Sequence, residues 1–496
     1  MPASIFHIVT KTDFMTDSQT GEPDSEAKAN DPPATLSLWD AVSIIVGIVV
    51  GVSIFKVPGL IFANVSSPLE GLFAWGLGAI VALCGALTYA ELATLHRRTG
   101  GEYVYLSRAY GPLLGFLFGW AQLTGVFSGS IGTMAYVFSD YAIVFLNWDE
   151  STGVGLALFS VLLLTTLHVL GVKTSTMVQN ALTLAKLIGL VMLLTVGLFG
   201  GSGEALTTKI PAGGGGFGLA MVFILYAYGG WNDAAMVSAE IYDSKRNVPK
   251  SLLLGIGLIS SIYLLINVAY LQGLGFSAIR ESGTPATDVV ANSQLLNQTM
   301  RDWGVSAIAI LVMLSALGAV HGLIFTGSRL YAALGSDHEV FEKLGRWHPK
   351  LGSPVWSLTT QAALTSLLII IVGTETGRGC VDAVVTKAGR APIPWESKFD
   401  GGFDTLLAAT APVFWSFFLL SGASVFVFRF RQPDADRPFR TPFYPIVPLV
   451  FISSCVYMIY SSVSYAGDLS LLALIPLAAG VPIYWLSSHT KKLHNS

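Results

Sequence analysis

Tyr226-Ala227-Tyr228-Gly229-Gly230-Trp231-Asn232-Asp233 lies inside an apolar stretch, residues 216–240, and decides how the rest of the chain is read. A helix in hydrocarbon satisfies its own backbone, and each unpaired amide or carbonyl there costs several kcal/mol. An interrupted helix therefore survives only where it lines a cavity or binds something. A second interruption, Gly47-Ile48-Val49-Val50-Gly51-Val52-Ser53, lies in the first apolar stretch, five spans earlier. Two breaks at corresponding positions predict a solute site between them.

Composition supports the membrane setting. Of 496 residues, 52% are hydrophobic and 12% charged, with mean hydropathy +0.62, too apolar for a water-soluble domain to cover with polar surface. The formal net charge of -3 decides nothing, because in membranes the placement of charge matters and not its sum. About twelve apolar runs have the ~20 residues needed to cross ~30 Å of hydrocarbon. They fall near 39–62, 69–95, 112–145, 151–170, 176–200, 216–240, 250–276, 303–335, 354–373, 405–430, 443–464 and 469–487. Residues 1–38 are polar and proline-rich and read as a disordered tail, with Met15 an alternative start to Met1. Residues 488–496 form a second tail.

Lys and Arg concentrate in alternate loops: Arg97, Arg98, Arg108, Lys173, Lys245, Arg246, Lys250, Lys343, Arg346, Lys350, Arg429, Arg431, Arg437 and Arg440, with Lys491 and Lys492 in the last tail. The positive-inside rule then predicts a multi-pass protein of the cell membrane with both termini cytoplasmic.

Unwinding around Gly51 would aim the amides of Val52 and Ser53 at an anion, at the positive end of the following half-helix. Unwinding at Gly229-Gly230 would free the carbonyls of Tyr226, Ala227 and Gly229 for an ammonium. Donors on one segment facing acceptors on another suit a zwitterion, an α-amino acid. The bland readings remain beside this one: glycines four apart also permit close helix packing, and Trp231 packing also stabilises a simple kink.

Tyr226-Ala-Tyr-Gly-Gly-Trp-Asn, followed by Glu240 and Arg246-Asn247-Val248-Pro249, resembles the sixth-helix signature of the amino acid–polyamine–organocation superfamily, nearest the L-type amino acid transporters and their bacterial relatives. Similar matches run along most of the chain: Ala90-Glu91-Leu92 with Gly100-Gly101-Glu102-Tyr103, Val178-Gln179-Asn180 with Thr183 and Lys186, Phe325-Thr326-Gly327-Ser328-Arg329-Leu330, His348-Pro349, and Arg437-Pro438-Phe439-Arg440-Thr441-Pro442. The resemblance implies an all-α integral membrane protein of twelve transmembrane helices. Helices 1–5 (39–200) and 6–10 (216–430) would be inverted repeats, helices 1 and 6 discontinuous, and two helices (443–487) added at the end. It implies a carboxylate site at Gly51, Val52 and Ser53, with Val50 in the same stretch, and an amine site at Val49, Tyr226, Ala227 and Gly229. Trp231 and Asn232 would line or gate the pocket. Gly51-Val52-Ser53 stands where the family usually has Gly-Ser-Gly, a change that keeps the backbone donors.

Lys186 falls near mid-membrane, where a charge costs about 2.5–3.5 kcal/mol even on lenient scales, so it should face a cavity or a partner. The resemblance places it where sodium-coupled relatives hold their cation. It would replace sodium, either as a fixed strut or by releasing a proton. Asp233, Glu240 and His321 are further intramembrane candidates for an inner gate or proton route, against a reading as simple inter-helix bonding. Lys56 either attracts carboxylates or snorkels outward.

The chain has no zinc-protease, phosphate-loop or nucleophile-elbow motif, no metal-ligand spacing, no cofactor motif and no nucleic-acid patch, so an enzyme is not expected. Cys84, Cys380 and Cys455 make no disulfide framework. Heteromeric relatives join a heavy chain through a cysteine in the loop between helices 3 and 4. The corresponding loop, 147–153, has none, so no disulfide-linked partner is expected. The partners implied are the bilayer and a small amino acid. The expectation is a sodium-independent secondary transporter working by proton symport or exchange. The alternatives are an amino acid sensor with a transporter fold, or an exchanger of cationic amino acids or polyamines. Val52, Tyr226, Tyr228 and Trp231 favour an apolar or neutral substrate side chain.

Overall fold

Every predicted apolar run overlaps helix in the computed structural model, which describes residues 37–96, 101–170, 172–201, 207–213, 215–232, 241–395, 399 and 401–494. Residues 1–36, Asp233 and Glu240 lie outside the described residues. Among those described, nine helices are long and apolar enough to cross a bilayer. The other three predicted spans, the first, fifth and sixth, are met by shorter apolar helices, Ser53–Ala63, Lys186–Gly200 and Gly216–Ala227.

The first span is two helices, α1 (Leu38–Val49) and α2 (Ser53–Ala63). Ser37 starts α1 through a capping box, its hydroxyl accepting the Asp40 amide while the Asp40 carboxylate accepts the Ser37 amide at 2.8 Å. After a turn at Val50 the chain resumes as α2, without a side-chain cap. Then follow α3 (Pro68–Leu95), the short α4 (Glu102–Tyr110), α5 (Pro112–Ala121), α6 (Phe127–Leu146), α7 (Gly153–Leu170) and α8 (Val172–Gly200). Residues 112–145, expected as one regular span, contain a five-residue π turn, Gln122–Val126, between α5 and α6. Such a bulge rotates the helix face and is often found at functional sites.

The sixth span stops early. Helix α9 (Gly216–Ala227) has 12 residues, about 18 Å at 1.5 Å per residue, and so ends within a ~30 Å core. The chain continues through α10 (Ser244–Leu274), the 40-residue α11 (Gln298–Asp337), α12 (Val355–Gly373), α13 (Gly402–Arg431), α14 (Ile446–Ala466) and α15 (Asp468–His494).

Helix α10 packs on α1, α3 and α8, and α6 on α11. Small residues allow these approaches. A side chain on Gly78 of α3 would collide with Ile224 of α9, so only glycine keeps the two backbones this close. Large apolar side chains such as Phe73, Ile80, Val191 and Leu258 point outward, as a hydrocarbon solvent permits.

Candidate functional site

The two breaks meet across a cavity of about 160 Å³, close to the ~150 Å³ of a cavity known to hold a benzene-sized solute. Val49, Gly51, Val52 and Ser53 of the first break line it, as do Tyr226, Gly229, Gly230 and Asn232 at and after the end of α9. Of the residues expected at the site, Val50, Ala227 and Trp231 do not line this space.

On the α2 side the backbone is arranged to donate. Gly51 N–H turns back to the Val49 carbonyl at 2.6 Å, and the first bond of α2 runs from Phe55 N–H to the Val52 carbonyl at 3.0 Å. The amides of Ser53 and Ile54 precede that bond, so they are the orphan donors of a helix start, at its partially positive end. On the α9 side Gly230 has φ +101°, a left-handed conformation open to glycine and costly for other residues. Gly229 N–H bonds to the Tyr226 carbonyl at 2.9 Å, and the Tyr228 amide is shared between the Ile224 and Tyr226 carbonyls.

A residue that sequence reasoning missed ties the breaks together. The Tyr263 hydroxyl of α10 lies 2.6 Å from the Val49 carbonyl and 2.9 Å from the Ala227 carbonyl. Ala227 thus faces a tyrosine, away from the cavity. Trp75 supports this tyrosine edge-on at 5.2 Å, and Tyr228 at 5.3 Å. Trp231 packs into a second aromatic cluster, 5.0 Å from Tyr89 and 5.9 Å from Phe418.

The rest of the lining is largely apolar, with Val126, Phe127, Met134, Val222, Phe414 and Trp415 prominent. Gln122 and Ser130, at and just beyond the π turn, and Thr326 and Thr410 from α11 and α13 add neutral polar groups. Among the described residues lining the cavity none is charged. None of these was legible beforehand, because isolated Gln, Ser or Thr in apolar helices is common and carries no spacing signal. Thr326 fell in a quoted motif without a role.

Lys186 is 3% exposed and His321 5%, and neither lines the cavity. The His321 ring lies 4.3 Å from that of His168, whose Nε2 is 3.1 Å from the His321 carbonyl oxygen. Lys56 does not line the cavity and pairs with Asp140 of α6 at 3.2 Å, an acid overlooked in the sequence. Asp233 and Glu240 lie outside the described residues.

Two quoted motifs meet at the α4 end of the bundle. Glu91 of α3 accepts a bidentate pair from Arg429 at 2.9 and 2.8 Å and the Thr441 amide at 2.8 Å, with Arg437 Nε at 3.5 Å. Nearby, Arg108 sits 2.8 Å from His96 Nδ1. Burial, then the charges of Arg108 and Arg437, push the His96 imidazole down to about 4.

Similarity to known proteins agrees with this architecture. A family profile described as amino acid permease matches residues 36–486. The serine/threonine exchanger SteT of Bacillus subtilis (strain 168) is 26% identical over 454 residues, covering 91% of this chain and 96% of its own length. The b(0,+)-type amino acid transporter 1 of Mus musculus is 26% identical over 482 residues, covering 94% of this chain and 90% of its own. The human cystine/glutamate transporter is 25% identical over 470 residues, with 91% and 84% covered.

Proposed function

The chain belongs to the amino acid permease family, a multi-pass membrane protein that transports amino acids, and from that premise we propose a sodium-independent carrier of neutral amino acids. The observation that carries the reading is one cavity lined by both the break after α1 and the residues after α9, with no charged side chain among its described lining residues. The substrate carboxylate meets the amides at the start of α2, around Val52 and Ser53. Its ammonium meets the carbonyls of Val49, Tyr226 and Gly229. The side chain lies among Phe127, Val222, Leu407 and Phe414.

Serine/threonine exchange by one relative supports exchange as the working mode here, with proton symport the second mode. Residues 39–200 and 216–430 act as inverted repeats that rock around the site, and both termini face the cytoplasm. Lys186 stands in for a sodium ion, and Asp233, Glu240 and His321 belong to the inner gate or proton route. No disulfide-linked heavy chain joins the protein, and non-reducing electrophoresis of the native membrane checks that: a complex that dissolves on reduction contradicts it.

Purified protein in liposomes tests the whole reading. Counterflow of labelled serine or leucine against an internal neutral amino acid is expected, unchanged when sodium is replaced by choline. Binding without counterflow or accumulation would make the protein a sensor. For Lys186, uptake by Lys186→Ala across pH separates strut from proton carrier: an unchanged pH profile removes the proton role.

A further inference from the structure

Behind the cavity wall, a carboxyl group is buried with no cation paired to it among the described residues. Glu102, in the first turn of α4, is 2% exposed, and its Oε1 accepts the Nδ2 of Asn232 at 2.9 Å. Asn232 in turn lines the cavity, directly after the glycines of the α9 break. One hydrogen bond thus links the substrate space to α4.

Among the described residues, the side chains beside Glu102 are polar but uncharged. Tyr89 of α3 and Tyr105 of α4 stand beside it, their rings edge to face at 6.3 Å, and Cys455 of α14 lies beyond Tyr89. Among the described residues, the ionic groups on the elements packed around it are engaged elsewhere. Glu91 of α3 holds Arg429 of α13, Arg108 of α4 sits on His96, Arg431 of α13 donates to the Ala109 carbonyl at 2.8 Å, and Tyr103 of α4 donates to Asp337 of α11 at 2.7 Å. Among the described residues Glu102 makes no ion pair. A carboxylate in such a place is costly, and a proton removes the cost. Burial pushes the Glu102 carboxyl up to about 7, against the hydrogen bond from Asn232.

We propose that Glu102 is a proton-operated positioning residue: ionised, it grips the Asn232 amide and draws the cavity wall against α4, and a proton on its carboxyl loosens that grip. The inference rests on the transport reading and assigns its pH dependence to one pair. The chemistry is the transfer of one proton between the Glu102 carboxyl and water. A hydrogen bond to a carboxylate is roughly twice as strong as one to its neutral acid, so the link to Asn232 weakens on protonation.

Two measurements on the full chain test it. In liposomes, the apparent Km of the wild type for labelled serine should change about fivefold or more between pH ~5.5 and ~8.5. Glu102→Gln, which keeps the shape but cannot titrate, should hold that Km within about twofold over the same range. Glu102→Asp should restore a pH dependence with a displaced midpoint. A Glu102→Gln profile parallel to the wild type overturns the proposal. Infrared spectroscopy of the detergent-solubilised chain reads the same group without transport. A carboxylic-acid band that titrates near neutral pH, disappears in Glu102→Gln and shifts in Asn232→Ala supports it, and the lack of such a band overturns it. Absence of uptake by the wild type would defeat the transport reading alone, leaving the infrared band to decide for Glu102.

Discussion

The Tyr263 hydroxyl lies 2.6 Å from the Val49 carbonyl, the last residue of α1. The same oxygen is 2.9 Å from the carbonyl of Ala227, the last residue of α9. A hydroxyl has one proton and so donates to one carbonyl at a time, serving two helix ends that have each lost their intrahelical donors. One side chain on α10 therefore sets the separation of the two half-helices that frame the cavity.

Tyr263→Phe leaves both carbonyls without this donor. A net loss of about 1–3 kcal/mol is expected, because the acceptors stay buried. The melting temperature of the purified protein should fall, and the Km for a neutral amino acid should rise with a smaller change in kcat. Unchanged values of both would show that the bridge holds nothing.

Gly230→Ala forces a side chain into a backbone with φ +101°, at about 1–3 kcal/mol of strain. Relief by re-winding the break would close the cavity wall. Counterflow should thus be lost more completely than thermal stability, a split that a purely structural glycine would not give.

Glu91→Ala removes the acceptor shared by Arg429, Arg437 and the Thr441 amide. Breaking a buried ion pair from one side costs about 3–5 kcal/mol. The lower end applies here, since Arg429 keeps 22% of its side chain exposed and so retains some water. Thermal denaturation in detergent reads this directly, and a shift indistinguishable from that of an exposed Glu342→Ala would refute the role.

His96 should make the fold acid-sensitive. Held at about 4 against an ordinary 6.5, the native imidazole binds fewer protons than the unfolded one between those values. Stability contributed by the neutral ring is complete above 6.5 and lost as pH falls towards 4. Glu102 acts in the opposite sense: its raised value near 7 means that stability declines as pH climbs from 4.5 to 7. The difference between His96→Gln and wild type, measured as melting temperature from pH 4 to 7, therefore isolates the histidine. That difference should shrink on acidification, and a constant offset would contradict the assignment.

Hydrophobic runs and two glycine breaks were legible in the chain because each reports on local solvent. A stretch that cannot pair its backbone with water must be helix, and one that stops being helix in hydrocarbon must face something polar. The spans, the interruptions near Gly51 and Gly229-Gly230, and the uncharged character of the first-break residues follow from that rule alone. Lys56 shows its limit. Its charge in an apolar run announced a partner, but nothing in the run pointed to Asp140, 84 residues away.

Tertiary structure decided everything that depends on how one helix is rotated against another. Tyr263 reaching Val49, Asn232 reaching Glu102 across 130 residues, and Glu91 reaching Arg429 across 338 are set by the facing of distant helices. Gln122 joins the cavity through a π turn, and Thr326 and Thr410 through the setting of α11 and α13. Hydropathy along a segment records only its exposure to lipid, which is nearly the same for every rotation of an apolar helix, so which face meets which neighbour is fixed by packing between segments far apart in the chain.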